Sequence, residues 1–165
     1  MKEILVVSDT HGNLEVLQHV LDSNILADVI IHLGDNYGDL DSCVFNRRGR
    51  EIYRVPGIFH PEYRSGTLPH SLEIEIEQNK FLMAHSPDDL THSADVLLFG
   101  HTHNWELANS IYGMRFNPGH LKARIDKKRI ATYGIIEIRD QKITLKILDL
   151  QHKVIAEAHI ETQHK

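Results

Sequence analysis

Four short stretches hold the side chains best suited to chemistry: Asp9-Thr10-His11, Gly34-Asp35-Asn36, His85 and Gly100-His101-Thr102-His103. Carboxylates and imidazoles bind divalent cations and move protons near neutral pH. Taken singly, each stretch has an ordinary structural reading: an Asx-capped turn, a tight Gly-Asp turn, a core histidine bonded to a carbonyl. His101 and His103 are more pointed. Imidazoles at i and i+2 of an extended segment face the same side and can reach neighbouring ions. Every stretch directly follows an apolar run, so one sheet edge would receive several carboxylate and imidazole groups. Without a cation such groups would repel one another or suffer heavy desolvation. Shared metal ions remove that cost.

The elements that must position these groups follow from periodicity. Residues 4–7 and 29–33 are short, β-branched apolar runs, too short for helices, and read as buried parallel strands. Between them Leu14, Leu17 and Leu21, widened by Val16 and Val20, define an amphipathic helix capped by Asn13. The unit is a right-handed β-α-β crossover. A short helix is expected over 39–45 and a third strand over 51–55. Three prolines and two glycines make 56–71 a long loop of the kind that serves an active site. Residues 72–77 alternate perfectly and pair through Gln78-Asn79 with 80–84 as a hairpin. Another buried strand covers 96–99, and strands follow at 105–110, 114–116, 132–138, 143–150 and 154–160. The pattern predicts an α/β fold: two mixed β-sheets packed face to face as a sandwich, flanked by helices, in a single domain over residues 1–165. Functional groups in such folds gather at the carboxyl ends of strands.

Bulk properties narrow the class. At 165 residues and 41% hydrophobic, one core is sustainable. A net charge of -5, with Lys122, Arg124, Lys127, Lys128 and Arg129 as the one basic group, argues against an extended nucleic-acid groove. That group can still touch a phosphate-bearing ligand. No apolar run approaches the roughly 20 residues of a membrane helix and no signal-peptide pattern is visible, so no membrane partner and a cytoplasmic location are expected. A single cysteine, Cys43, fits a reducing compartment and reads as a small semi-buried side chain. Of the 13 histidines, His19, His152, His159 and His164 lie in amphipathic or terminal stretches and read as surface residues.

In combination, Asp-x-His, Gly-Asp, a lone His and Gly-His-x-His, in that order from Asp9 to about His120, resemble the calcineurin-like metallophosphoesterase superfamily. The short length and the turn Asn117-Pro118-Gly119 resemble its YfcE-like phosphodiesterase branch. The resemblance implies a phosphodiesterase with two divalent transition-metal ions, Mn²⁺ first among Mn²⁺, Ni²⁺, Fe²⁺, Co²⁺ and Zn²⁺. Asp9, His11 and His103 would hold one ion, His85 and His101 the other, and Asp35 would bridge them. A hydroxide between the ions would attack phosphorus in line. A small phosphodiester or nucleotide-like substrate would be the ligand, with Asn36 and His120 touching it, although each has a plainer reading: Asn36 bonding its own turn, His120 lying on the surface. Asn104 has the same two readings as Asn36. A homodimer could form along the strand at 72–77, though Glu73, Glu75 and Glu77 would discourage casual pairing.

One departure from the family pattern matters. Where the family places Gly-Asn followed by a histidine or cysteine, this chain reads Gly57-Ile58-Phe59-His60-Pro61-Glu62. Ile58 has no lone pair for a metal, and Phe59 cannot donate a proton. His60, or Glu62, is expected to take over as ligand or catalytic acid. The competing expectations are a weakened second metal site, or a degenerate binding scaffold like the superfamily's retromer subunit. Loop residues such as Tyr37, Tyr63 and Arg64 would set specificity.

Overall fold

A computed structural model of the protein describes residues 1–161. His164, read above as a surface residue, lies outside the described residues. The chain folds into two mixed sheets. The first comprises β1 (Lys2–Val7), β2 (Val29–His32) and β3 (Glu51–Arg54), which run parallel, and β11 (Thr132–Arg139), β12 (Lys142–Asp149) and β13 (Val154–Glu161), which continue antiparallel from β1 in the order β13-β12-β11-β1-β2-β3. The second has the order β4-β5-β6-β8-β7. Here β5 (Asn79–Ala84), β6 (Val96–Leu98) and β8 (Gly113–Asn117) run parallel, and β4 (Ser71–Ile76) and β7 (Glu106–Ser110) are antiparallel edges.

The alternation along β1 explains why this sheet has two covered faces. Ile4 and Val6 point inward against Phe81, Met83, Leu98 and Phe116 of the second sheet, forming the core between the sheets. Leu5 and Val7 point outward, where α1 (Leu14–Ser23) lays Val16, Leu17, Val20 and Leu21 over them and α2 (Asp39–Ser42) adds Leu40. Asn13 caps α1 by accepting the Val16 amide at 3.2 Å. The sheets approach closely, because a Cβ on Gly134 of β11 would lie 2.4 Å from the Phe116 ring. Cys43 is buried in the outer core.

Three sequence expectations need correction. The helix expected over 39–45 stops at Ser42, because Cys43 adopts an extended backbone. The loop at 56–71 contains a helical turn, α3 (Pro61–Arg64), with Pro61 at the first helical position and His60 capping it. A two-residue hairpin, β9 (Ile125–Asp126) with β10 (Arg129–Ile130), was not anticipated. The edge position of β4 does agree, with Ile74 and Ile76 buried and Glu73 and Glu75 exposed. Among the described residues, no helix is long and apolar enough to cross a membrane.

A polar relay under the first two loops ties their backbones together. His32, the last residue of β2, is fully buried and accepts the Gly34 amide at Nδ1, 3.2 Å away. Its Nε2–H therefore faces the Thr10 hydroxyl at 3.2 Å. Thr10 in turn donates to Asp39 Oδ2 at 2.6 Å, and the same oxygen accepts the Gly12 amide at 2.8 Å. Burial lowers the His32 pKa to about 3, so the relay holds a neutral imidazole.

That depression has a sign. The unfolded chain takes up a proton on His32 near its ordinary value of 6.5, whereas the folded chain resists until about 3. Stability from neutral His32 is complete above pH 6.5 and is lost as pH falls toward 3, by roughly 1.4 kcal/mol per pH unit. Urea unfolding of metal-free protein between pH 7.5 and 4.5 should show wild type losing its advantage over His32→Gln as pH drops. A constant difference would show that His32 is not held neutral.

Candidate metal centre

The carboxyl ends of β1, β2, β5 and β6 meet across the sandwich. β1 runs into Asp9 and His11, β2 into Asp35, β5 into His85, and β6 into His101 and His103. Ligand atoms of Asp9, His11, Asp35 and His103 all lie within 4.8 Å of one another. His11 Nε2 is 3.4 Å from Asp35 Oδ2, and His103 Nε2 is 3.2 Å from both His11 Nε2 and Asp9 Oδ1. On the other side of Asp35, its Oδ1 lies 3.5 Å from His85 Nε2, and the His85 and His101 rings sit edge to face at 5.2 Å. The six side chains expected from the sequence thus come together, with Asp35 between the two groups.

What each atom is bonded to decides what it can bind. Asp9 Oδ2 accepts from the Ser8 hydroxyl at 2.6 Å and from the His101 amide at 3.0 Å, while Oδ1 is buried with no hydrogen bond. His85 Nδ1 lies 2.8 Å from the Leu33 carbonyl, which can only accept, so Nδ1 carries the proton. His85 Nε2 is then a bare lone pair, buried, unpartnered and facing a carboxylate oxygen. His103 repeats this arrangement. Its Nδ1 lies 3.1 Å from Asp126 Oδ2, so in the neutral imidazole Nε2 is the lone pair, within reach of His11 Nε2 and Asp9 Oδ1. Bare lone pairs turned toward one another are repulsive unless a cation lies between them. The donor set of carboxylate oxygens and imidazole nitrogens fits a borderline divalent transition metal, and the Asp126–His103 pair has the form in which a carboxylate orients a ligating imidazole.

The carboxylates draw positive charge into the cluster. Burial pushes the Asp9 carboxyl up, but contact with His103, the field of His85 and the Ser8 hydroxyl outweigh it and hold it below its ordinary value. Burial lowers His11, while the carboxylates of Asp9 and Asp126 raise His103.

The backbone supports the convergence at a local cost. Asp9, His11, Asp35, Asn36, His101 and His103 all adopt left-handed φ, between +47° and +71°. Non-glycine residues there are strained and persist only where the surroundings dictate them. Two glycines supply the room. A Cβ on Gly57 would lie 2.0 Å from Asp35 Oδ1, and one on Gly100 would lie 2.0 Å from Ser8 Oγ and 2.7 Å from Asp9 Oδ2. Asn117 holds the last loop in place by donating to the Gly100 carbonyl at 2.8 Å and to Thr102 Oγ1 at 3.0 Å.

The remaining site residues divide. Asn36 is exposed and lines a cleft of about 350 Å³ beside Asp35, together with His60. His60 does not reach toward the cluster as a ligand. Its Nδ1 accepts the Glu62 amide at 3.2 Å, and its Nε2 lies 3.4 Å from the Tyr37 hydroxyl. The Glu62 residue is exposed. His120 is fully buried rather than on the surface, because the Asn117-Pro118-Gly119 turn carries it beneath His103, with ring centroids 5.5 Å apart. Its Nε2 lies 3.3 Å from the Arg129 carbonyl, and its Nδ1 is buried without a partner. Asn104 is bonded within its own turn to Thr102. Sequence reasoning missed Asp126, Ser8 and Asp39. The last two neighbour named motifs, but Asp126 sits in the unanticipated hairpin and gave no periodic signal.

A double sheet with acidic and imidazole loops at its carboxyl edge is the framework of a metal-dependent hydrolase. A model of the calcineurin-like phosphoesterase superfamily domain matches residues 1–141, and the chain belongs to that superfamily. Solved structures share the fold. A predicted phosphoesterase from Streptococcus pneumoniae aligns with a TM-score of 0.70 at 21% identity, covering 96% of this chain and 97% of its own. The phosphoesterase Yfce from E. coli aligns at 0.72 and 19% identity, covering 94% and 98%. Vps29 from Chaetomium thermophilum aligns at 0.68 and 14% identity, covering 100% and 97%. No curated protein matches the chain.

Metal-free protein should gain thermal stability on addition of Mn²⁺, by roughly 5–10 °C at a hundredfold excess over Kd. Chelation should reverse the gain and Asp9→Asn should lose most of it. An equal gain in Asp9→Asn would mean that the ion binds elsewhere.

Proposed function

We propose that this protein hydrolyses phosphodiester bonds at a dinuclear centre. The observation that carries the reading is the convergence of the ligand atoms of Asp9, His11, Asp35 and His103 within 4.8 Å, with His85 Nε2 on the far side of the Asp35 carboxylate. Asp9, His11 and His103 would hold one ion, His85 and His101 the second, with Asp35 shared. Manganese heads the candidate metals, which include nickel, iron, cobalt and zinc. Ions bound there supply the positive charge that offsets a phosphodiester anion, and a water acidic enough to attack near neutral pH.

The residues around the ions have roles of their own. Asp126 and the Leu33 carbonyl fix the tautomers of His103 and His85, so that both present a lone pair inward. Ser8 and the His101 amide occupy one oxygen of Asp9 and reserve the other. Ile58 stands where the family's asparagine would complete the second ligand set, leaving three side chains on that side. Such a set is open to solvent or substrate, as in catalytic sites with three protein ligands. His60, with Nδ1 occupied by the Glu62 amide, carries its proton on Nε2 in the cleft beside Asp35. With ligation set aside, the role left to His60 is proton donor to the leaving oxygen, for which it would release the Glu62 amide and take up a second proton on Nδ1. Asn36 lines the same cleft and would contact substrate, whereas His120 supports His103 from below.

A second reading, a catalytically degenerate scaffold, draws on Ile58 and on the likeness in fold to Vps29. It differs in metal content and turnover. Protein loaded with Mn²⁺ or Ni²⁺ should bind two equivalents and release nitrophenolate from bis-p-nitrophenyl phosphate, faster than from the monoester. Asp35→Asn should lower the rate by about a hundredfold or more. One equivalent or less, with no turnover under either metal, would leave the scaffold reading standing. His60→Asn should cost roughly 10²-fold or more with an alkoxide leaving group and far less with nitrophenolate, which departs unprotonated. Equal losses on both would remove His60 from the acid role.

A further inference from the structure

Two clefts open at the cluster and share no lining residue. One, of about 350 Å³, reaches Asp35 and is walled by Tyr37, Phe59 and His60. The other, of about 260 Å³, reaches His103 and is walled by Trp105, Lys128 and Arg129. Asp35 and His103 belong to the same 4.8 Å cluster, so a phosphorus held there would face both clefts.

The first cleft is a set of flat faces. The Tyr37 and His60 rings stack with centroids 5.4 Å apart, and Phe59 is 65% exposed with the Arg64 guanidinium 5.4 Å over its ring. A lone exposed phenylalanine would mean nothing. Three rings in one cleft at the metal cluster form a stacking platform for a nucleobase. The volume lies at the small end of the range for ligand sites, enough for one ring system rather than a polymer.

The second cleft is cationic and uncompensated. Of the five basic residues in this stretch, Lys122 pairs with Asp126 and Arg124 with Glu15. Among the described residues, neither Lys128 nor Arg129 makes an ion pair with a carboxylate. Arg129 Nη1 donates to the Thr102 carbonyl at 2.7 Å, which plants its guanidinium beside the turn carrying His101 and His103. In a chain of net charge -5, two unpaired cations at the edge of a metal cluster make a local site for a second anion.

Given that the centre hydrolyses phosphodiesters, we propose that its substrate is a short oligonucleotide, of dinucleotide size, with a base in the aromatic cleft and an additional phosphate in the Lys128–Arg129 cleft. Water supplies the oxygen that joins phosphorus, the ester P–O bond breaks, and the departing oxygen takes up a proton. The negative net charge and the small clefts set the upper limit on length.

The test compares thymidylyl thymidine with the same dinucleotide phosphorylated at its 5′ or its 3′ end. Hydrolysis by the Mn²⁺-loaded protein is read by chromatography, and affinity by isothermal titration calorimetry. One phosphorylated form should exceed the plain dinucleotide in kcat/KM by about tenfold or more in low salt, with the advantage shrinking as salt rises from about 50 to 300 mM. Lys128→Ala should remove most of that ratio, and Arg129→Lys part of it. Phe59→Ala should raise KM for all three by about tenfold with kcat retained, and Phe59→Trp should restore it. A ratio near one in wild type, a ratio indifferent to Lys128→Ala and salt, or a Phe59→Ala defect confined to kcat would overturn the proposal. Hydrolysis of bis-p-nitrophenyl phosphate without hydrolysis of any dinucleotide would overturn it too, while sparing the phosphodiesterase reading. If nothing is hydrolysed, that reading fails and calorimetry decides: tighter binding of a phosphorylated dinucleotide, lost in Lys128→Ala, sustains the two clefts, and equal binding refutes them.

Discussion

Lone pairs held face to face govern this molecule. Asp9 Oδ1, His85 Nε2 and His103 Nε2 each have their far side fixed by a hydrogen bond, from Ser8, to the Leu33 carbonyl and to Asp126 respectively. None can turn away without breaking that bond. Asp9 Oδ1 and His85 Nε2, buried with no hydrogen bond, are thereby suited to a cation, because buried acceptors without donors are otherwise costly. The left-handed backbone at Asp9, His11, Asp35, His101 and His103, and the missing side chains at Gly57 and Gly100, are accommodations to the same demand.

The six converging residues were legible in the sequence because each follows an apolar strand directly, and a strand end fixes where the next side chain emerges. Asp9 and Asp35 follow runs that could only be buried parallel strands, and Gly-His-x-His names its own geometry. The supporting residues were less legible for physical reasons. Asp126 lies in strands of two residues, too short for any period to register. His32 sits inside an apolar run, where nothing separates a buried neutral imidazole from a chance polar residue. His120, expected to touch substrate or else to lie on the surface, is buried, and that burial depends on a long-range contact with His103 that local pattern cannot reveal.

The altered loop after β3 shows how a motif can lose its residues and keep its framework. Gly57 remains, packed where only a hydrogen can fit against Asp35. Ile58 and Phe59 replace a ligand and a donor, and the chain then turns through α3 so that His60 caps a helix and faces the cleft. In the proposed reading, His60 at the helix start would supply the chemistry that Ile58 and Phe59 cannot. The same change puts Phe59 at the rim, where it widens the apolar wall of that cleft.

The centre takes half of its groups from each sheet: Asp9, His11 and Asp35 from the first, His85, His101 and His103 from the second. Ion capture and cohesion of the sandwich are therefore one equilibrium seen from two ends. A shift between the layers, such as a larger residue at Gly134 would force on Phe116, changes the bite of the site from a distance. Conversely, an occupied centre acts as a rivet that limits how far the two layers can slide.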